Sequence, residues 1–287
     1  MINGIDRLLD ATYQSTLTSF VPFSVDAAVV GWLRSTFAQE LRDWPDVFEH
    51  DQAGSVHLHP RLTTREARTR AIGEVVQQLE SRGLITGRRS ELYAVATSFA
   101  APPLFHLERA AARAFGIASY AVHVNGVVAV NSGWSMWLGR RSLSKPIDPG
   151  MQDNLIGGGL AAGLTVRDTL VKEAWEEAGL TTEQVAGVKR GRRVHIRREV
   201  PEGLQVETIF VHDLVLPATI VPRNQDGEVS AFECLPVADV IRLLQEGDRI
   251  TPDASLVLLD WLDRRRIVRL RDKPQARVIF TEWSGRQ

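Results

Sequence analysis

Two rhythms of apolar and polar residues run along the chain, and the balance between them changes near residue 118. In the first part, helix-period stretches are interleaved with short alternating runs. Residues 1–20 predict a helix that ends in a polar Ser/Thr stretch. FVPFSVDAAVVGWL then offers strand-like runs broken by Pro22 and Gly31, and a helix is expected over 34–43, closed by Trp44-Pro45. SVHLHP alternates as a strand. Thr63 or Thr64 is placed to cap a helix through Leu79 with an apolar stripe of Ala67, Ala71, Val75, Val76 and Leu79, ended by Gly83. ELYAVAT reads as a strand, Ala101-Pro102-Pro103 interrupts it, and a helix over 104–115 leads onward. Interleaved elements of this kind predict an α+β unit over residues 1–117.

From Ser119 strand periods dominate. SYAVHVNGVVAV contains Asn125-Gly126, a hairpin-turn signal between alternating runs. SMWLGRR is the next expected strand, and its end delivers Arg140, Arg141 and then Lys145. Further strands are expected in VKRGRRVHIRREV, LQVETIFVHDLVLPA and VSAFECLP, helices near 237–246 and 252–265, and a short strand-like end at RVIFTEW. A mixed sheet with a helix on either side gives an α/β/α sandwich over residues 118–287.

Between these strands lies GGGLAAGLTVRDTLVKEAWEEAGL, residues 157–180. Thr165 with Asp168 three residues on predicts a helix N-cap, and Gly179 sits where the left-handed C′ residue belongs. At about 100° per residue, Leu170, Val171, Ala174, Trp175 and Ala178 fall on one arc. Glu173, Glu176 and Glu177 fall opposite, within about 100° of each other. Like charges at i,i+3 and i,i+4 cost roughly a few tenths of a kcal/mol per pair. A hard divalent ion such as Mg²⁺, with Mn²⁺ as substitute, removes that conflict. An ordinary solvated amphipathic helix accounts for the same residues without one.

The spacing sharpens the picture. The segment resembles the Nudix box: a glycine, five residues, Glu, seven residues, then Arg-Glu-apolar-x-Glu-Glu-x-Gly-apolar. Gly158 matches the first glycine, and Glu173, Ala174, Glu176, Glu177, Gly179 and Leu180 match the end. Leu164 stands where the first Glu belongs and Lys172 where the Arg belongs. Both departures, with the flanking KPIDPGMQDNLI, are similar to the Nudix subgroup related to the C-terminal half of fungal thiamine pyrophosphokinase. FVPFSVDAAVVGWL and ELYAVATSFAAPPLFHLERAAARAFGI resemble that subgroup's N-terminal domain of unknown function. The resemblance implies a Nudix sandwich preceded by a smaller α+β domain. It implies metal binding and water activation by Glu173, Glu176 and Glu177, cleaving a diphosphate. A further carboxylate from a later loop is also implied; Glu228 in Asp226-Gly227-Glu228 is the candidate, with Glu233 behind it. The Gly158 carbonyl is a further candidate ligand, and Arg140, Arg141 and Lys145 suit phosphate oxygens.

Composition narrows the partners. Lys+Arg of 34 against Asp+Glu of 35 leaves a net charge of −1, so no global field recruits nucleic acid or anionic membrane. One cysteine, Cys234, excludes an intramolecular disulfide and suits a reducing compartment. The N-terminus reads as no secretory signal and no apolar window is long enough to span a membrane, so a cytoplasmic chain is expected. The run Lys189, Arg190, Arg192, Arg193, Arg197 and Arg198 reads as a solvated hairpin rather than a substrate clamp. His50, His57 and His59 lack the carboxylate spacing of a metal site and read as a solvated strand face. Trp134 and Trp137 read as core.

The expected activity is therefore Mg²⁺-dependent hydrolysis of a small-molecule diphosphate. The resemblance implies thiamine diphosphate or an oxidised or damaged analogue, cleaved to the monophosphate. The alternatives are a nucleoside-diphosphate derivative such as ADP-ribose or a sugar nucleotide, and a non-catalytic ligand-binding regulator. Prenyl-diphosphate isomerisation, with Cys234 as its weak thiol, is a third class. For the N-terminal unit a lid, a specificity element or a homodimer contact all stay open.

Overall fold

The computed structural model describes residues 4–131, 133–270 and 272–283. The start of the expected first helix, residues 1–3, lies outside them.

The first half begins with α1 (Gly4–Thr12), much shorter than the stretch over 1–20. Then come β1 (Phe20–Val25), β2 (Ala28–Arg34), α2 (Ser35–Glu40), β3 (Phe48–His50) and β4 (Val56–Leu58). Next are α3 (Arg65–Ser81), β5 (Leu92–Val95) and β6 (Phe105–Glu108). A four-stranded sheet runs β2-β1-β4-β3, and β5 pairs with β6 alone. Phe23, Phe48 and Phe115 meet edge-on or tilted at its centre, with Phe23 and Phe115 ring centres 5.7 Å apart.

Two expectations here need correction. α3 is capped by the Thr64 hydroxyl, but its buried residues are Arg68, Ile72, Val75, Val76 and Leu79, with Ala67 and Ala71 only half-buried. The stripe is rotated because Arg68 turns inward, donating to Leu62 O at 2.7 Å and to Asp26 at 3.0 Å. The helix expected over 104–115 is instead the strand β6 followed by one 3₁₀ turn at Arg109–Ala111. Antiparallel pairing with β5 gives its backbone partners that a helix would otherwise supply.

The second half contains β7 (Ala118–Val130), β8 (Gly133–Arg141), β9 (Gln152–Asp153), β10 (Ile156–Gly159) and α4 (Val166–Ala178). It continues with β11 (Lys189–Val200), β12 (Gly203–Val215), β13 (Val229–Pro236), α5 (Val237–Glu246) and α6 (Pro252–Arg264). It closes with α7 (Pro274–Ile279) and β14 (Phe280–Thr281), so the expected terminal strand forms only at Phe280–Thr281, and Arg277, Val278 and Ile279 before it belong to the helix. The main sheet runs β13-β8-β7-β12-β11-β14, with β10 beside β7 and β9 beside β8. β7 and β12 are parallel and the other pairs antiparallel, which makes the sheet mixed. On one face Val122 and Val124 pack against Leu170, Ala174 and Ala178 of α4. On the other, Ala121 and Val211 pack against Leu256 and Trp261 of α6 and Leu243 of α5. This is the α/β/α sandwich expected.

α1 departs from the division at residue 117. Its Ile5 and Leu9 are buried in the core of the second half, against α5, α7 and β11 rather than β1–β6. The hairpin expected at Asn125-Gly126 does not form, and β7 runs straight through both residues. Asn125 is buried and donates to Asp213 Oδ1 at 3.1 Å, while Gly126 leaves room for the Leu155 side chain. A tertiary partner has replaced the local turn that Asn-Gly usually makes.

The arginine run of β11 does lie on a hairpin, with β12, but most of it is not simply solvated. Arg192 pairs with fully buried Asp260 at 2.5 Å and with Asp263 at 2.8 Å, Arg198 pairs with Asp253 at 2.8 Å, and Arg190 lies over the Trp283 ring. Arg264 bridges Asp260 and Asp213, tying α6 to the sheet. Trp134 and Trp137, expected in the core, are partly buried and pack against the edges of the two cores. His57 and His59 pair with Asp51 and Glu49.

Candidate active site

Three neighbouring elements build the site. β10 carries Gly157, Gly158 and Gly159, and its pairing with β7 lays these residues beside His123, Val122 and Ala121. The loop after it enters α4 through a full capping box, in which Thr165 and Asp168 bond each other reciprocally. α4 ends at Gly179 in the left-handed conformation, φ 64°. Both ends of the helix are thus fixed by local chemistry.

What packing decides is the rotation of α4. Glu173 and Glu177 are buried, 8% and 7% exposed, whereas Trp175, expected inside, is 53% exposed. Glu177 accepts from Gly157 N at 2.7 Å. Glu173 lies against the bare Cα of Gly158, and Lys172 Nζ donates to Glu173 Oε1 at 3.0 Å and to Glu176 Oε2 at 2.7 Å. Burial raises the Glu177 pKa well above the usual carboxylate range, with the Glu173 charge adding to it. Burial also raises Glu173, against the opposing pull of Lys172. Two carboxyls at i,i+4 therefore share a dry corner with few donors to balance them.

The remaining candidates separate. Glu176 is more exposed and engaged by Lys172. Glu228 bonds Lys145 and, at 3.3 Å, Arg89; burial works against its ionisation, but the Lys145 bond holds its pKa below the usual value. Arg141 donates to Asp153 at 2.7 Å. Arg140 turns to Glu233 at 2.9 Å, away from the cleft. Cys234 is exposed on β13. Among the described residues no three His, Cys, Asp or Glu side chains converge as a finished metal cage. The pair Glu173 and Glu177 with the Gly158 backbone nonetheless fits a hard divalent ion, since a Cβ at residue 158 would fill the cradle beside Glu173. Mg²⁺ in particular is commonly held by one or two carboxylates and keeps several waters.

One cavity opens from this corner and a second adjoins it. The first, about 260 Å³, is lined by Gly157–Gly159, Glu173, Glu228, Arg141 and Lys145, and also by Arg89, Arg109 and Arg113 from the first half. The second, about 570 Å³, shares Tyr93 and Ser119 with it and is walled by Phe99, Tyr120, Leu164, His212 and Trp283. Phe99 and Tyr120 lie 4.6 Å apart between ring centres. Leu164, at the position where the Nudix pattern has a glutamate, lines this second space. Among the described residues its charged side chains are Arg167 and Arg190, and none of the lining residues is a carboxylate. Burial lowers the His212 pKa to about 4, so the ring is neutral there. Sequence reasoning missed Arg89, Arg109, Arg113 and the aromatic wall. No local pattern marks them, because they reach the site across long stretches of chain.

Comparison with known proteins identifies the relatives of this chain. A family model described as NUDIX domain matches residues 120–254, and one described as a domain of unknown function (DUF4743) matches residues 3–119. Nudix hydrolase 24, chloroplastic, of Arabidopsis thaliana is 40% identical over 257 residues, covering 88% of this chain and 70% of that protein. Nudix hydrolase 20, chloroplastic, of the same plant is 39% identical over 264 residues, with 88% and 70% covered. Among solved structures, the NUDIX domain of Shewanella oneidensis NrtR complexed with ADP ribose is similar over 54% of this chain and 92% of that chain, at 15% identity and a TM-score of 0.42.

Proposed function

The chain belongs to the Nudix hydrolase family, and from that footing we propose that it is a Mg²⁺-dependent pyrophosphatase converting an oxidised thiamine diphosphate to its monophosphate. The observation that carries the chemistry is the buried pair Glu173 and Glu177 against the glycine strand, with Glu173 lining a cleft that Arg141 and Lys145 also line.

Water adds to one phosphorus of the P–O–P link, the bridging bond breaks, and two phosphoryl products leave. Glu173 and Glu177 would hold the divalent ion, which when bound neutralises phosphate charge and makes water a better nucleophile. Lys145 and Arg141 face the cleft and stabilise charge on the phosphate oxygens as the anhydride opens. Glu173 Oε2 makes no hydrogen bond among the described residues. That oxygen is open to accept a hydrogen bond from the attacking water and so to orient it.

The second cavity favours the substrate. Its size lies within the roughly 300–1,000 Å³ usual for small-molecule sites, and its aromatic walls suit a planar heterocycle. Arg167 and Arg190, with no lining carboxylate among the described residues, make it a poor host for the thiazolium cation of intact thiamine. A thiazole oxidised to a neutral ring avoids that repulsion.

The test is a panel of thiamine diphosphate, oxidised thiamine diphosphate, ADP-ribose and UDP-glucose incubated with Mg²⁺, with products identified by mass. Fastest release of the oxidised thiamine monophosphate is expected. Turnover confined to ADP-ribose would move the substrate to the nucleotide class, and no turnover of any anhydride would overturn the reading.

A further inference from the structure

The N-terminal unit carries no role in the hydrolase chemistry derived so far, yet it forms one wall of the catalytic cleft. Arg89, Arg109, Arg113 and Tyr93 line the same space as Gly158, Glu173 and Lys145. This wall is anchored across the boundary between the units. Ala162 N donates to Leu92 O at 2.7 Å, at the turn leading into α4. Leu204 N donates to Arg113 O at 2.9 Å, and Arg34 pairs with Glu199 at 2.6 Å while donating to Val200 O at 2.8 Å. Tyr93 places its hydroxyl over the bare Cα of Gly159, where no side chain would fit.

Arg109 is the best placed of these cations. Its Nη1 donates to Glu91 at 2.6 Å, and its backbone N donates to Glu91 O at 2.8 Å, so the residue is held at both ends. Tyr93 stacks below the guanidinium, 5.7 Å from ring centre to Cζ. Arg109 Cζ lies 3.3 Å from the point a Cβ of Gly159 would occupy, one residue beyond the Glu173 cradle. Its Nε and Nη2 make no hydrogen bond among the described residues, and the side chain borders the cleft. A guanidinium fixed by a carboxylate and an aromatic ring, with one edge unspent in the cleft that Glu173 also lines, has the form of a phosphate fork. Arg89 stands across from it on Glu228, a carboxylate that already holds the place of an anion between Arg89 and Lys145.

We propose that the N-terminal unit completes the active site, with Arg109 as a bidentate clamp on the diphosphate of the substrate and Arg89 as its second cation. The cleft between the units, rather than the C-terminal sandwich alone, is then the binding site for the diphosphate. The proposal rests on the pyrophosphatase reading for its ligand class but is tested apart from it.

The probe is imidodiphosphate, a P–N–P analogue that resists hydrolysis, titrated calorimetrically with Mg²⁺ into the full chain. Arg109→Ala is expected to weaken its binding about 10- to 100-fold, the loss of a charge-assisted bond pair. Arg109→Lys should retain part of it, and Arg65→Ala, on the exposed face of α3, should bind as the native chain does. Hydrolysis by Arg109→Ala should show a raised KM that added guanidinium ion lowers again, a rescue that a purely structural arginine would not show. Arg89→Ala provides a second variant should Arg109→Ala melt early. If both alanine variants bind imidodiphosphate like the native chain, the clamp is overturned. If the native chain binds it through Arg109 yet cleaves no anhydride, the clamp stands and the pyrophosphatase reading falls.

Discussion

Glu173 rests directly on the backbone of Gly158: a Cβ built there would lie 2.7 Å from Glu173 Oε1 and closer still to Cγ and Cδ. The carboxylate and the strand therefore fix each other, and Gly158 is required by space rather than by a left-handed backbone. Gly158→Ala must push Glu173 out of place by roughly an ångström, and misplacement of that size costs on the order of 100-fold in rate. Steady-state kcat/KM should fall by about that factor, while circular dichroism shows an intact fold. An unchanged rate would mean that Glu173 does not act from this position.

The glutamates of α4 should differ in importance because they differ in burial. Glu177→Gln keeps the shape and the bond from Gly157 N but removes a charge beside Glu173. It is expected to lower Mg²⁺-supported turnover by about 100-fold or more, with ligand binding retained. Glu176→Gln, at a more exposed position paired with Lys172, should cost only about tenfold or less. Equal losses in the two variants would contradict a site centred on the buried pair.

Asp260 is the hub of the charge network below the sheet, fully buried and bonded to Arg192 at 2.5 Å and Arg264 at 2.8 Å. Removing one partner of a buried ion pair leaves the other uncompensated, which costs about 3–5 kcal/mol. Asp260→Ala should show that loss in urea unfolding. Gly191 supports the same network, since a Cβ there would lie 2.9 Å from both Asp260 Oδ2 and Arg264 Nη2.

His212 makes stability sensitive to acid. Its folded pKa of about 4 lies below the ordinary value of 6.5, chiefly through burial, so between those values the unfolded chain binds more protons than the folded one. The stability His212 contributes is complete above pH 6.5 and falls as pH drops towards about 4, by on the order of 3 kcal/mol in all. His212→Phe should flatten that part of the unfolding curve between pH 6.5 and 4. A curve of unchanged slope would show that the ring charges freely in the folded state.

The box helix shows how far the sequence carries. Thr165, Asp168 and Gly179 predicted both ends of α4, and those caps form. The same periodicity placed Trp175 inside and all three glutamates outside, whereas Trp175 is exposed and two of the glutamates are buried. An apolar arc reports which residues prefer a core, but here the glycines of β10 create a carboxylate-sized space at its edge. Asn125-Gly126 fails for a related reason. The dipeptide has a local turn preference, and Asp213, far along the chain, offers Asn125 a better use.

The amino-acid order alone determined what depends on neighbours within a turn or two: helix caps, strand alternation, and the glycine-to-glutamate spacing that marks the family. Only the tertiary structure decided which charges meet. It buried Arg192 and Arg198 of the β11 run against aspartates, set Glu228 between Lys145 and Arg89, and brought Arg109 to the far side of the Glu173 cleft. Local preferences arise from bonds spanning a few residues and are written where they act. The partner of a buried charge is chosen by chain topology and desolvation, and no short window of sequence contains it.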